Sequence, residues 1–301
     1  MVAPALSHPL TLGSKVGAYV ALTKPRIIEL LLVTTVPTMV VANGSVPELW
    51  LIVATVIGGT LAAGGANAIN MYVDRDIDAL MERTQDRPLV TGAVTPNAAL
   101  TFAIAIEVLA FVWLWTLVNP LSAVLGLAAC LFYVFVYTLW LKRSSDQNIV
   151  IGGAAGAVPV LIGWSSVTNS LSWAAVALFA VIFVWTPPHF WALAIKYRDD
   201  YSRAEVPMLP SVATYRRTTN NILGYTIAMV ALTFVFGGAA DLGPLYFVSA
   251  AVLGAIFIVL SWDLRRTESP AHAIRLFTYS ITYVTLLFGV MAADVIIRNG
   301  W

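Results

Sequence analysis

Three oxygen-bearing side chains recur at a spacing of four residues behind a long apolar stretch: Asn70, Asp74 and Asp78. At about 100° per residue, each step of four turns a helix by only about 40°, so the three side chains share one face. Mg²⁺ prefers one or two carboxylates together with phosphate oxygens and water. The spacing therefore predicts a catalytic magnesium site beside a diphosphate. Asp76 falls off this face and is given a lesser role.

The segment behind this face supplies cations. Arg83 and Arg87 carry fork-shaped donors that match phosphate oxygens, and Pro88 stiffens the chain between them and the next apolar stretch. A run of aspartates behind an apolar span can also be a solvated helix end. The exact spacing, the arginines and the membrane depth of Asn70 favour the metal site, and we predict that Arg83 and Arg87 bind the diphosphate.

A second polar segment, Lys196 to Pro210, again mixes carboxylates with cations. Asp199 and Asp200 are predicted as further catalytic carboxylates, and Asp200 as a ligand of a second Mg²⁺. Lys196 shares a helical face with Asp200, so it either contacts the diphosphate or pairs with that carboxylate.

Composition identifies the elements that must position these residues. The 301 residues are 59% hydrophobic and only 11% charged, against roughly 25% charged in soluble domains. A crossing needs about 20 mostly apolar residues. The sequence therefore predicts an all-α integral membrane protein, a single membrane domain over 1–301. The nine predicted spans are 27–45, 49–71, 97–118, 121–141, 148–168, 172–194, 221–240, 244–262 and 276–297.

Charge sets the topology. The turns after the first, third, fifth and seventh spans contain no Lys or Arg, and every basic residue except Arg298 lies on the other side. The positive-inside rule places that side in the cytoplasm. The N-terminal segment 1–26 and the long loops 72–96 and 195–220 are thus predicted to be cytoplasmic, with the C-terminus opposite. The net charge of +1 argues against a nucleic-acid partner.

The start of the chain and its only cysteine carry two smaller predictions. The first fourteen residues lack Lys and Arg, so Met1 is interpreted as the mature start, and a bacterial inner membrane is expected. Cys130 lies in an apolar run and is interpreted as a small buried hydrophobe.

A family resemblance rests on three segments: residues 70–89, residues 185–191 (Trp-Thr-Pro-Pro-His-Phe-Trp) and residues 206–210 (Val-Pro-Met-Leu-Pro). Together they resemble the UbiA superfamily of intramembrane prenyltransferases, and more narrowly its haem-farnesylating branch. The superfamily usually has a second pair of aspartates four residues apart. Here Asp199 is followed at that distance by Arg203, and Asp200 by Ala204, which leaves the second set of metal ligands open.

The resemblance implies nine helices around a central cavity that opens to the cytoplasm and to lipid. It also implies farnesyl diphosphate and haem B as substrates, with Mg²⁺ as cofactor. Ionisation of the diphosphate gives an allylic cation, the haem vinyl carbon attacks it, and water captures the product cation in a dry pocket. A haem A synthase or an oxidase-assembly protein is a candidate partner, as is a second copy of the chain. A quinone-precursor or chlorophyll-type acceptor, or a secondary transporter, are the alternatives.

The resemblance also points to haem-binding candidates. His189 follows Pro187 and Pro188, which should kink the helix, and it either ligates haem iron or hydrogen-bonds a neighbouring helix. Lys24 and Arg26 at the mouth of the first span either hold haem propionates or the diphosphate, or are plain topology signals. Asn148 is a further candidate for lining the pocket.

Other intramembrane residues are interpreted as structural. Glu29, Glu107 and Asp294 lie within apolar spans, and we predict neutralised or paired roles for them. Gly152 and Gly156 form a small-xxx-small pattern that predicts close helix packing.

Overall fold

A computed structural model describes residues 12–300, without the side chains of Leu12 and of residues 27–32, which include Glu29. The described residues form helices and no strands. The helices are α1 Leu12–Leu22, α2 Pro25–Asn43, α3 Leu49–Val73, α4 Arg75–Asp78, α5 Pro96–Leu117, α6 Pro120–Leu131, α7 Lys142–Ser144, α8 Asn148–Thr168, α9 Trp173–Lys196, α10 Arg198–Arg203, α11 Leu209–Val212, α12 Tyr215–Ala239, α13 Pro244–Thr267 and α14 Pro270–Asn299. A 3₁₀ turn spans Glu82–Thr84, and a π-helix, Phe132–Leu141, joins α6 to α7.

The membrane-crossing helices match the predicted spans closely. Within the described part of the chain, eight helices are long and apolar enough to cross a bilayer, counting α6, the π-helix and α7 as one helix, Pro120–Ser144. Helix α2, with 19 residues, also has the length of a crossing. It occupies the place of the first predicted span, so the predicted count of about nine is close.

The clearest differences in boundaries are at α12 and α14, which each begin six residues before the predicted span. Hydropathy misses these first turns because they contain arginines or other polar residues. Capping explains the start of α12, where the Thr214 hydroxyl accepts a hydrogen bond from the backbone nitrogen of Arg217 at 3.2 Å. Proline at the first position, Pro270, marks the start of α14.

The helices pack side by side into a ring in which α9 is the most buried of the eight long apolar helices. Helix α9 packs against α8, α12 and α14, whereas α3 packs mainly against α5. The ring is closed where α2 meets α14, and there the Asn299 side chain donates to the carbonyl of Gly44 at 2.8 Å. Large apolar side chains such as Phe135, Val248 and Val259 lie exposed on the outside, where lipid can cover them. Cys130 is buried, as predicted.

Close packing on α8 uses neighbouring glycines rather than the predicted pair. A Cβ atom on Gly152 would lie 2.2 Å from the Tyr137 ring, and one on Gly153 would lie 2.9 Å from Thr186. Gly156 has no atom of the described residues within 4 Å of such a Cβ. The prediction of close packing is confirmed for Gly152 and wrong for Gly156. Two adjacent glycines face two different elements, a geometry that a four-residue pattern does not capture.

Asp294 caps a helix that belongs to another part of the chain. Its carboxylate accepts hydrogen bonds from the backbone nitrogens of Gly243 at 2.6 Å and Tyr246 at 3.3 Å, at the start of α13. The Arg298 guanidinium lies 3.7 Å from the same carboxylate. This confirms the predicted structural role of Asp294, since free N–H groups at a helix start need acceptors. Glu107 is buried against Gly65 of α3.

Candidate active site

The predicted face of Asn70, Asp74 and Asp78, called the oxygen stripe below, points into the protein. Helix α3 ends at Val73, yet the backbone nitrogen of Asp74 still donates to the carbonyl of Asn70 at 2.9 Å. The nitrogen of Asp78 likewise donates to the carbonyl of Asp74 at 2.8 Å. The spacing therefore survives the break before α4. The three residues are 2%, 0% and 2% exposed, which agrees with the prediction of one shared face.

The side-chain amide of Asn70 is held by three partners. Its nitrogen donates to Asp74 Oδ2 at 2.7 Å and to the Thr138 hydroxyl at 3.1 Å, and its oxygen accepts from Lys24 Nζ at 2.7 Å. An ammonium group only donates, so the amide oxygen must face Lys24. This orientation directs the one metal-binding atom of Asn70 towards a resident cation.

The π-helix and Lys142, which follows it at the start of α7, bring side chains to the oxygen stripe. Lys142 pairs with Asp74, the Thr138 hydroxyl meets Asn70, and the partly buried Tyr133 lies within electrostatic range of Asp74 and Asp78. In an α-helix, Tyr133 and Lys142, nine residues apart, would point about half a turn away from each other. The wider π winding puts them on one face, and the Thr138 hydroxyl bonds the Tyr133 carbonyl at 2.8 Å.

Asp76 lies off the stripe, as predicted. The Arg143 guanidinium binds both of its carboxylate oxygens at 2.7 Å. This bidentate hydrogen bond lowers the pKa of Asp76 to about 2. Arg143 also lies 3.8 Å from Asp74 Oδ1, so one guanidinium bridges the exposed and the buried carboxylate.

The far end of the stripe is fixed by the first long loop, residues 72–96. Arg87 pairs with Asp78 at 2.5 Å, and the Thr84 hydroxyl donates to the carbonyl of Asp78 at 2.7 Å. Arg83 instead reaches the second loop, where it donates to the Tyr201 hydroxyl at 3.2 Å and lies over the Tyr197 ring. The two arginines therefore have different neighbours, Arg87 on the stripe and Arg83 between the loops.

The second loop contributes a separate ion-pair group. Asp200 is buried and pairs with Arg203, which also lies 3.3 Å from Glu82 of the first loop. Asp199 is exposed, and the Lys196 ammonium lies 5.3 Å from the centroid of the Tyr197 ring. The structure thus joins Asp200 to the first loop through Arg203, and the partner of Asp200 is this arginine rather than Lys196.

The stripe is chemically suited to a magnesium ion. Asp74 Oδ1 is buried and lacks a hydrogen-bond partner among the described residues. The atoms of Asn70, Asp74 and Asp78 that can bind a metal are all oxygens, the ligand atoms that Mg²⁺ prefers. The described residues contain no group of three or more His, Cys, Asp or Glu placed to hold a metal by themselves. These residues fit a cation that takes its remaining ligands from a diphosphate and water.

The two basic residues at the start of α2 have different surroundings. Lys24 bonds Asn70, and burial together with the nearby charges of Arg87 and Lys142 lowers the pKa of its ammonium to about 7. Arg26 is exposed. Asn148 is fully buried, and its amide nitrogen donates to the carbonyl of Pro207 at 3.4 Å. Asn148 therefore anchors the second loop to the start of α8.

His189 lies in an aromatic enclosure within α9. Its ring stacks on Trp185 with centroids 4.2 Å apart, and its Nδ1 lies 2.6 Å from the Ser280 hydroxyl. That hydroxyl donates to the carbonyl of Phe277 at 2.6 Å, so it accepts from Nδ1–H. The proton on Nδ1 leaves Nε2 as the basic nitrogen. The predicted helix-to-helix hydrogen bond is present, and Nε2 retains a lone pair.

Comparison with known proteins decides the family. The model of the UbiA prenyltransferase family matches residues 31–287. The chain belongs to this family. Curated relatives named protoheme IX farnesyltransferase include that of Frankia alni, 54% identical over 290 residues and covering 95% of this chain and all of the relative. That of Streptomyces avermitilis is 51% identical over 295 residues, covering 95% and 96%.

Solved structures of membrane proteins share the fold. A digeranylgeranylglyceryl phosphate synthase superposes with a TM-score of 0.77 at 15% identity, covering 94% of this chain and 99% of that one. A UbiA homologue from Archaeoglobus fulgidus bound to DMAPP and Mg²⁺ gives a TM-score of 0.61, also at 15% identity, with 90% and 99% coverage. These similarities confirm the predicted all-helical membrane fold.

Sequence reasoning missed several residues that surround the stripe and the two loops. Lys142 and Arg143 had a detectable signal, because a basic pair ends the fourth span on the same side of the membrane as Asp74. Thr138 and Tyr133 had no detectable signal, since an apolar sequence does not indicate π-helical winding. Tyr201 was hidden within the second loop, and its contact with Arg83 depends on how the two loops fold together.

Proposed function

We propose that this protein transfers the farnesyl group of farnesyl diphosphate to a vinyl group of haem B, with addition of water, to give haem O. The relatives named protoheme IX farnesyltransferase support this proposal through identity along nearly the whole chain. In the proposed setting, a bacterial inner membrane, the N-terminal segment and the loops 72–96 and 195–220 face the cytoplasm and the C-terminus lies opposite. The segregation of basic residues supports this orientation.

The oxygen stripe is the proposed metal and diphosphate end of the site. Asn70, Asp74 and Asp78 would hold Mg²⁺, with Asp199 and Asp200 on the second loop as further acidic groups. Bound there, the ion would withdraw electron density from the leaving diphosphate as its bond to the farnesyl carbon breaks. Arg87 and Lys142 already contact the stripe carboxylates. A diphosphate seated on the stripe would therefore meet these cations at once.

The cations of the loops extend this end of the site. Arg83 and Lys196 are proposed to bind the outer diphosphate oxygens, since both lie against the Tyr197 ring of the second loop. Lys24 is already engaged with Asn70, which favours the diphosphate rather than a haem propionate as its ligand. Arg26, exposed beside it, is left as the propionate candidate.

The acceptor end is proposed to lie deeper in the membrane, towards His189. His189 is seven residues, about 10 Å of helix, from Lys196 at the end of α9. Its Nε2 lone pair can take haem iron, while the Nδ1–H bond to Ser280 fixes the ring. Asn148 supports the loop above this region. Trp185 and Phe277 pack against the His189 ring. This apolar wall would keep water from the farnesyl cation until the vinyl carbon attacks.

The observation that carries the proposal is the burial of Asp74 between Asn70 and Lys142 with one oxygen lacking a hydrogen-bond partner among the described residues. The test is mass analysis of haem after the purified protein is incubated with farnesyl diphosphate and Mg²⁺. The expected product is heavier than haem B by a farnesyl and a hydroxyl group. Asp74→Asn should abolish it, whereas Asp86→Asn, an exposed carboxylate of the same loop, should not.

Two outcomes would overturn the proposal. Unchanged haem in the presence of all substrates, with farnesylation of a quinone precursor instead, would move the chain to another acceptor. No release of diphosphate at all would argue against a transferase.

A product that leaves through lipid would pass to a haem-modifying enzyme or an oxidase-assembly protein, which co-purification from native membranes can detect.

A further inference from the structure

Every member of the oxygen stripe is already held by a cation of the chain. The Lys24 ammonium lies 2.7 Å from Asn70 Oδ1, Lys142 pairs with Asp74, and Arg87 lies 2.5 Å from Asp78. Resident cations therefore lie against oxygens that a metal ion would use. A metal ion on the Asn70 oxygen would lie beside the Lys24 ammonium, and the repulsion between the two positive charges favours metal binding only if Lys24 moves away. The amide cannot instead turn its oxygen elsewhere, because its nitrogen is committed to Asp74 and Thr138.

The charges around the stripe are not balanced. Lys24, Arg87, Lys142 and Arg143 supply more positive charge than the three carboxylates of Asp74, Asp76 and Asp78 can offset. While Lys24 is protonated, one positive charge is left over. A divalent ion entering alone would add two more in a buried, weakly screened place, where repulsion between like charges is strong. A divalent ion that enters with a diphosphate, carrying about three negative charges, brings a net charge of about minus one, which cancels the excess.

We infer that the oxygen stripe does not take up a divalent cation by itself but accepts it together with a diphosphate, and that Lys24 enforces this order by occupying the oxygen of Asn70. When the diphosphate arrives, the Lys24 ammonium moves from Asn70 to the phosphate oxygens and frees the amide oxygen for the metal. This inference rests on the proposed function, because it specifies how the same site is loaded.

The backbone around Lys24 suits a switch made by the side chain alone. Lys24 has a left-handed backbone conformation, with φ of 54°, in the two-residue link between α1 and α2. The carbonyl of Thr23 beside it accepts from Asn67 Nδ2 of α3 at 3.1 Å. This bond anchors the link to α3, so the backbone is fixed while the four-carbon side chain rotates. An ammonium on a flexible stem can exchange one oxygen partner for another at little cost.

The test measures metal binding rather than turnover. The purified protein is dialysed to equilibrium against Mn²⁺, with and without inorganic pyrophosphate, and bound manganese and phosphorus are both counted. We expect wild-type protein to bind Mn²⁺ at least about ten-fold more tightly with pyrophosphate, in a one-to-one ratio with it. Lys24→Met should bind Mn²⁺ alone about ten-fold more tightly than wild type, which shrinks the effect of pyrophosphate.

Two further variants guard against trivial explanations. Lys15→Met, which removes an exposed ammonium of α1, should behave as wild type. Lys24→Arg keeps the charge and should keep weak binding of Mn²⁺ alone, even if Lys24→Met folds poorly. Equal binding of Mn²⁺ by wild type with and without pyrophosphate would overturn the inference, as would unchanged affinity for Mn²⁺ alone in Lys24→Met. In either case haem farnesylation would still be measurable by mass, so the proposed function would stand or fall separately.

Discussion

The amide nitrogen of Asn70 lies 3.1 Å from the hydroxyl oxygen of Thr138, and this contact joins α3 to the π-helix. The same hydroxyl donates to the carbonyl of Tyr133 five residues earlier, a bond that belongs to π winding. The orientation of a predicted metal ligand is therefore set by a helix in which one extra residue per turn changes which side chains face inward.

We expect Thr138→Val to reduce turnover about five-fold while leaving the protein folded. Valine keeps the shape of threonine but removes the acceptor for Asn70, and one lost hydrogen bond is worth about 1 kcal/mol. The measurement is the rate of diphosphate release at saturating substrates. Thr116→Val is the matched control, because its exposed hydroxyl bonds only its own helix. Equal rates for Thr138→Val and wild type would show that Thr138 does not orient Asn70.

Gly152→Ala should damage both stability and activity. The added methyl group would lie 2.2 Å from the Tyr137 ring, which must move, and overpacking of this kind costs about 1–3 kcal/mol. Gly156→Ala, one helical turn away on the same helix, faces no described atom within 4 Å and should be neutral. Thermal unfolding in detergent compares the two. A similar midpoint for both variants would mean that α8 and the π-helix separate easily.

Asp294→Ala should lower stability by about 2–3 kcal/mol without changing catalysis at low temperature. It removes the acceptor for the backbone nitrogens of Gly243 and Tyr246 and leaves them buried without a partner. Asp241→Ala removes an exposed carboxylate near the same arginine and serves as the control. Thermal unfolding and diphosphate release, measured side by side, separate the two effects. A loss of activity in a stably folded Asp294→Ala would reveal a role beyond capping.

Haem absorption spectra should separate the proposed roles of the two ring nitrogens of His189, iron binding by Nε2 and orientation of the ring through Nδ1. His189→Ala is expected to alter the Soret band of added haem, because Nε2 is the proposed iron ligand. Ser280→Ala should cause a smaller change, since it frees the ring to rotate without removing the ligand. His272→Ala, which alters a partly exposed histidine beside Asp263, should leave the spectrum unchanged. Identical spectra for wild type and His189→Ala would exclude axial ligation by this residue.

The sequence predicted the parts of the site that follow from regular helix geometry. Asn70, Asp74 and Asp78 share a face because α-helical hydrogen bonds continue through the break at Val73. The partners of that face were not predictable in the same way. Lys142 meets Asp74 only because the fourth span winds as a π-helix, and hydropathy does not distinguish the two kinds of winding.

Residues of similar type that lie close together in the sequence have different environments in the structure, which the sequence did not predict. Lys24 and Arg26 are two positions apart, yet one is bound to Asn70 and the other is exposed. The difference arises from the left-handed turn at Lys24, which neither charge nor hydropathy indicates. Arg83 and Arg87 were likewise grouped as equal diphosphate ligands, whereas their partners, Tyr201 and Asp78, lie on different segments.

The contact between α2 and α14 constrains the order in which the helices assemble during synthesis. Helix α14, the last crossing, packs against both α2 and α9. Almost the entire chain must therefore be synthesised before α2 and α9 have all their neighbours. Until then the interior stays open along one side to the lipid or to the insertion machinery. A nascent chain halted before residue 270 should thus remain sensitive to proteases at the two long loops, residues 72–96 and 195–220, and acquire resistance only once α14 is in place.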